Sequence, residues 1–202
     1  MSKVDFKKEL KHLYNPPKKF SIVDVPEMQF LMVDGHGDPN TAQSYKDAIE
    51  TLYAVAYTLK FSSKNGLEKD YVVPPLEGLW WAENMETFAD DKSRWDWTAM
   101  IMTPTWITQN LFDDAVSQVR AVKNPAALDL LRLNTYAEGK SAQIMYLGTY
   151  ADEGPTIAAM HEFIEAQGYM LHGKHHEIYL SDPRRTAPEK LKTVIRQPIR
   201  AK

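Results

Sequence analysis

The sequence predicts an α+β domain made of two similar strand-helix-strand-strand modules. These should form one antiparallel sheet with helices on one face and a ligand groove on the other. Three observations predict it. Apolar residues recur with period two, then period 3.6, then period two again, and this order is met twice along the chain. Each strand-to-helix junction carries a proline beside a capping residue, Asp38-Pro39-Asn40-Thr41 in one half and Glu153-Gly154-Pro155-Thr156 in the other. Glutamates also coincide when Leu76-Glu77-Gly78-Leu79-Trp80 is laid over His176-Glu177-Ile178-Tyr179-Leu180. The 202 residues then form a single domain: half one at about 21–104, connecting helices at about 105–134 and half two at about 135–202.

The elements follow in order. Residues 1–20, with Lys7, Lys8, Lys11, Pro16 and Pro17, read as a short helix and a polar connector. Met28 to Gly37 is a strand that ends at glycines, and Asn40 or Thr41 can cap the helix after it. Tyr45, Ala48, Ile49, Leu52, Val55, Ala56 and Leu59 form the apolar stripe of that helix, which Ser62 to Gly66 stops. A strand pair follows, Tyr71 to about Glu83 and Arg94 to about Met102, joined by an acidic loop around residues 86–92. Leu111, Ala115, Val119 and Val122 mark another helix, and Pro125 opens a short one ending near Leu131. Half two repeats the pattern with a strand at Ala142–Tyr150 and a helical stripe at Ile157, Met160, Phe163 and Ile164. Its closing strand pair runs His175–Ser181 and Thr193–Ile199.

Composition narrows the function. A net charge of -3 and a pI near 6.1 argue against a nucleic-acid surface. The basic tail around Arg184, Arg185, Lys190, Lys192, Arg196 and Arg200 reads as a solvated edge strand whose charges discourage edge pairing. The absence of cysteine excludes disulfides, thiol catalysis and cysteine-bound zinc, and it suits a reducing cytoplasm. No apolar run reaches the ~20 residues of a membrane span, and the N-terminus has no signal-peptide core, so a soluble cytoplasmic protein is expected. There is no phosphate loop and no nucleophile elbow. His172, His175 and His176 lack a third ligand at chelating spacing, so no metal is expected. Nothing in the sequence marks a subunit interface.

Parity identifies the candidate site. Alternation puts His175, Glu177, Tyr179 and Ser181 on one face of the last hairpin and His176, Ile178 and Leu180 on the other. The apolar set should pack on the helices, leaving Glu177 and Tyr179 about 6.5–7 Å apart at the groove. All five tryptophans fall within residues 80–106, Trp80, Trp81, Trp95 and Trp97 among them. Such a cluster serves either as core or as an aromatic wall for a planar ligand.

The segments Asp34-Gly35-His36-Gly37-Asp38-Pro39, Pro75-Leu76-Glu77-Gly78-Leu79-Trp80-Trp81 and Glu177-Ile178-Tyr179-Leu180-Ser181-Asp182-Pro183 together resemble the GyrI-like small-molecule-binding superfamily. The likeness spans roughly residues 20–200. The Leu-Glu-Gly-Leu-Trp-Trp segment resembles a stand-alone branch, the cyclopropanoid cyclopropyl hydrolases. This resemblance implies a duplicated fold around a ligand groove. It also implies hydrolysis of planar, cyclopropyl-bearing DNA-alkylating toxins, with Glu177 as the acid-base residue and Tyr179 as the phenol beside it. By that resemblance Trp80 and Trp81 would belong to the pocket wall, with Glu77 beside them, and no cofactor is implied. The tryptophan cluster adds Trp95 and Trp97, and strand parity adds His175, to the expected substrate site. Regulator members of the superfamily carry a helix-turn-helix, for which the residues before the first strand are too few. The alternative is a non-catalytic binder of hydrophobic aromatic drugs, or a gyrase-inhibitor-like regulatory protein.

Overall fold

A computed structural model describes residues 3–83 and 91–202. Most of the acidic loop expected at 86–92 lies outside the described residues. In chain order the elements are α1 (Phe6–Glu9), α2 (Lys11–Tyr14), β1 (Ser21–His36), α3 (Gln43–Gly66), β2 (Leu76–Trp81), β3 (Asp96–Thr103) and α4 (Gln109–Val122). There follow β4 (Arg132–Leu147), α5 (Gly154–Ala166), β5 (Tyr169–Leu171), β6 (His175–Tyr179) and β7 (Lys192–Ala201). Long strand, helix, strand, strand therefore recurs, with the three-residue β5 inserted the second time. Among the described residues no helix is long and apolar enough to cross a membrane.

The chain divides into two compact units, both α+β with mostly antiparallel strand pairing. The first comprises Met1–Phe6, Met28–Pro74 and Trp81–Tyr136. In it β1 and β3 run antiparallel, in register from Gln29 opposite Thr103 to His36 opposite Asp96. Phe30, Leu31, Met32 and Val33 are all buried, so this part of β1 is covered on both faces. Helix α3 buries Ala48, Leu52, Val55, Ala56 and Leu59, the stripe its 3.6-residue period predicts. Its start differs from expectation. Asp38 accepts the Asn40 amide at 2.9 Å and closes a turn, so neither Asn40 nor Thr41 caps the helix, which begins at Gln43. Lys60, in the last third of the helix, meets the carboxylate of Asp70, which lies past the helix end, at 2.8 Å.

Three further differences have local causes. The strand expected from Tyr71 begins only at Leu76, because Pro74 and Pro75 have no N–H to give a ladder. Tyr71 instead makes an isolated parallel bridge with Val4. Helix α4, capped by the Thr108 hydroxyl, buries Phe112, Ala115 and Val119 and leaves Val122 82% exposed. Its buried stripe is thus rotated away from the expected Leu111–Val122 line. The short helix expected to run to Leu131 is a 3-10 turn at Leu128–Leu130, and β4 starts one residue beyond it, at Arg132.

The second unit comprises Lys7–Glu27, Pro75–Trp80 and Ala137–Lys202. Here β2 pairs with β6, β6 with β7, and β4 and β5 also pair with β7, all antiparallel. Strand β7 therefore has neighbours on both sides. The basic tail is not a solvated edge: Thr193 to Ile199 are buried, Arg196 completely. One core cluster joins Met160 and Ile164 of α5 to Ala142, Ile195 and Ile199, with Ile157 and Phe163 partly buried against it. Phe20 stacks on Phe163 at 5.4 Å between centroids. The period-3.6 stripe of α5 and the period-2 pattern of β7 meet there, as their spacing predicts.

Candidate functional site

The register of β2 against β6 sorts the site. Gly78 lies opposite Glu177 and Trp80 opposite His175, while Glu77 faces Ile178 and Leu79 faces His176. Directly opposed residues share a face. Trp80, His175, Glu177 and Tyr179 therefore share one side of this ladder, and Glu77, Leu79, His176 and Ile178 share the other.

On the first side Glu177 is held at both oxygens. The Tyr179 hydroxyl donates to Oε2 at 2.8 Å, and His175 Nε2 lies 3.2 Å from Oε1. The Tyr179 oxygen in turn accepts from Trp80 Nε1 at 3.1 Å. Alternation along β6 makes this possible, because residues two apart project together and a glutamate is long enough to meet both neighbours. Trp80 and His175 are buried, whereas the Glu177 side chain keeps 14% of its exposure and remains reachable. Gly78 is required here: a Cβ would lie 2.7 Å from Trp80 Nε1, so the indole can lean across the strand toward Tyr179 only over a glycine. The Tyr150 ring packs edge-on against Tyr179, 5.4 Å away. Burial, with the charges of Glu153 and Glu177 added, pushes the Tyr150 phenol up to about 12.

The opposite side carries a second constellation that parity reasoning did not foresee. Tyr14 donates to Glu77 Oε1 at 2.8 Å, and His176 Nε2 lies 2.9 Å from Glu77 Oε2. His176 Nδ1 is 3.0 Å from Glu138 Oε2, to which Arg196 Nη1 donates at 3.1 Å. Arg196 also donates to the Leu13 carbonyl and to Gln143. Glu77, His176 and Arg196 are fully buried, and Glu138 nearly so. Two carboxylates are thus matched by an imidazole and a guanidinium out of contact with water. Burial alone would favour neutral His176, but the Glu138 charge and the hydrogen bonds to both carboxylates outweigh it and lift its pKa to about 9. Burial likewise opposes ionised Glu138, yet His176 and Arg196 hold it down at about 2. The only sequence signals were a cation inside an apolar strand, Val194-Ile195-Arg196, and a histidine on the parity of Ile178. Alternation and charge alone place the first in solvent and the second on an apolar face.

Glu77 therefore does not join Glu177 in one constellation; the structure brings together Glu177, Tyr179, His175 and Trp80. The other sequence-predicted tryptophans belong to the first unit. Trp97 is completely buried, its ring lying where any Cβ on Gly35 would collide with it and meeting Tyr45 edge-on at 5.0 Å. Trp95 is half-buried beneath the Lys92 ammonium, 5.1 Å from the ring centre, and Trp81 is half-buried.

Residues 18–200 match the model of the GyrI-like small molecule binding domain. The chain belongs to the GyrI-like family. No functionally curated protein matches it. Among solved structures, this GyrI-like chain is 41% identical to an uncharacterized conserved protein from Listeria innocua, with a TM-score of 0.92 over 98% of this chain and 100% of that one. It is 40% identical to a hydrolase from Listeria innocua, with a TM-score of 0.86 and the same coverage. The C-terminal domain of EcmrR, at 10% identity and a TM-score of 0.57 over 91% of this chain and 98% of that one, shares the fold. In this GyrI-like chain the family's small-molecule-binding character coincides with a carboxylate that is held in place by its neighbours and still reachable.

Proposed function

We propose that this GyrI-like protein hydrolyses electrophilic aromatic compounds bearing a cyclopropane, with Glu177 as the base. The observation that carries this reading is the Glu177 carboxylate fixed between His175 and Tyr179 while part of its side chain stays accessible. The likeness to a Listeria innocua hydrolase supports turnover over simple binding.

A cyclopropane conjugated to a dienone opens when water attacks its unhindered carbon. The new C–O bond forms as the ring C–C bond breaks, and that electron pair flows to the carbonyl oxygen, which becomes a phenolate. Glu177 takes the water proton, which ends on the phenolate. The ring opening is thus hydrolytic and redox-neutral, and the substrate loses its electrophilic carbon.

Tyr179 has one O–H, and it is directed to Glu177. In the resting site it orients the base. Proton transfer to Glu177 weakens that acceptor and frees the phenol to turn toward the developing oxyanion, where a donor stabilises the transition state. Trp80 supports both roles by fixing the phenol oxygen.

The test is turnover. Substoichiometric protein is mixed with a cyclopropyl-dienone compound and the dienone absorbance is followed. Loss of many equivalents supports the hydrolase. Consumption that stops at one equivalent, with tight binding, makes the protein a drug-binding sponge.

A further inference from the structure

Helix α3 carries a second stripe besides the one it buries. Lys46, Glu50, Tyr53, Tyr57, Phe61 and Lys64 recur at three- and four-residue spacing, so they lie along one face. Tyr57 is 49% and Phe61 52% exposed, and Lys46, Glu50 and Lys64 are exposed as well. Tyr53 and Tyr57 stack with their centroids 6.3 Å apart. Two large aromatic side chains in solvent on one helix face, Tyr57 and Phe61, mark a contact surface more often than an accident of composition.

The charges say which partner fits. Glu50 stands seven residues before Tyr57 and Lys64 seven after it; Tyr53 stands four before and Phe61 four after. Lys46 is eleven before, and Glu68, exposed just past the helix end, eleven after. Every position thus has its complement at the same distance on the other side of Tyr57, charge against opposite charge and aromatic against aromatic. A two-fold axis through Tyr57 would set Glu50 against the partner's Lys64, Tyr53 against the partner's Phe61, and Lys46 toward the partner's negative helix end and Glu68. Such self-complementarity is the property of an isologous interface. A surface meant for an unlike acidic or basic protein has no reason to reverse sign about one residue.

We infer that α3 is the contact surface for a second copy of this chain, in an antiparallel, two-fold helix pair centred on Tyr57. The pairing lies on residues with no part in the proposed chemistry.

Sedimentation velocity over a concentration series tests it. The full chain should shift from monomer to dimer below about 100 μM, the affinity range of small, transient interfaces. Glu50→Lys and Lys64→Glu should each weaken the dimer by about tenfold or more, because each places like charges together twice across the axis. The double variant Glu50→Lys with Lys64→Glu should recover most of the lost affinity. Phe61→Ser should abolish the dimer, with unchanged circular dichroism reporting an intact fold. A chain monomeric throughout, or a dimer indifferent to all four variants, overturns the proposal. So does a double variant no better than the singles.

Discussion

Glu77 and Glu177 lie on paired strands one register step apart, yet they project from opposite faces: Glu177 is opposite Gly78, and Glu77 is opposite Ile178. That single step separates two carboxylates into different chemistries. Glu177 is held by a phenol and an imidazole with part of its surface accessible, while Glu77 is sealed in a buried ionic network.

The base assignment predicts an asymmetric effect. Glu177→Gln keeps shape and hydrogen bonding but removes basicity, so turnover of a cyclopropyl-dienone should fall by about 10²-fold with affinity within a few-fold. Tyr179→Phe removes the orienting hydroxyl and should cost somewhat less. Steady-state kinetics with a separate binding titration checks both. Full activity in Glu177→Gln would move the base elsewhere.

Gly78→Ala predicts a local fault that reaches the carboxylate through Trp80 and Tyr179. The added Cβ displaces the Trp80 indole and breaks its bond to the Tyr179 oxygen. Tryptophan emission should change, and turnover should fall by up to about tenfold through the mispositioned phenol. An unchanged emission spectrum with full turnover would contradict the role given to this glycine.

Arg196→Met tests the buried network. Methionine approximates the volume but leaves Glu138 charged and short of a partner, so the loss should be about 3–5 kcal/mol. Urea denaturation monitored by circular dichroism measures it. Lys substituted for Arg196 should recover only part, since the bonds to Glu138, Gln143 and the Leu13 carbonyl need a fork of donors.

The same network predicts how stability varies with pH. His176 rises from an ordinary value of 6.5 to about 9 on folding, so its contribution is complete below 6.5 and is lost as pH climbs through 9. Glu138 falls from 4.5 to about 2, so its contribution is present above 4.5 and is lost as pH drops toward 2. Stability from these two groups should therefore be greatest between 4.5 and 6.5. Denaturation midpoints measured from pH 3 to 10 should trace both limbs, and His176→Gln should remove the alkaline one.

Much of this was readable in the chain itself. The buried stripe of α3 follows from its 3.6-residue period, and the shared face of His175, Glu177 and Tyr179 follows from strand alternation; both are local geometry that every sequence obeys. The three segments resembling GyrI-like proteins were equally plain, and they identified the family. Tertiary structure alone decided the rest. Alternation tells which residues share a face but not what that face meets, so it could not tell that Arg196 and His176 enter a dry interior. They do so only because Glu77, Glu138 and Tyr14, from β2, β4 and α2, arrive there to balance them. Periodicity puts Val122 in the buried stripe of α4, yet Phe112 is buried and Val122 exposed, because the rotation of a helix is set by the surface it packs on, not by its own period. A charge is tolerable in a core only when its partners come with it, and those partners lie up to 183 residues away in sequence.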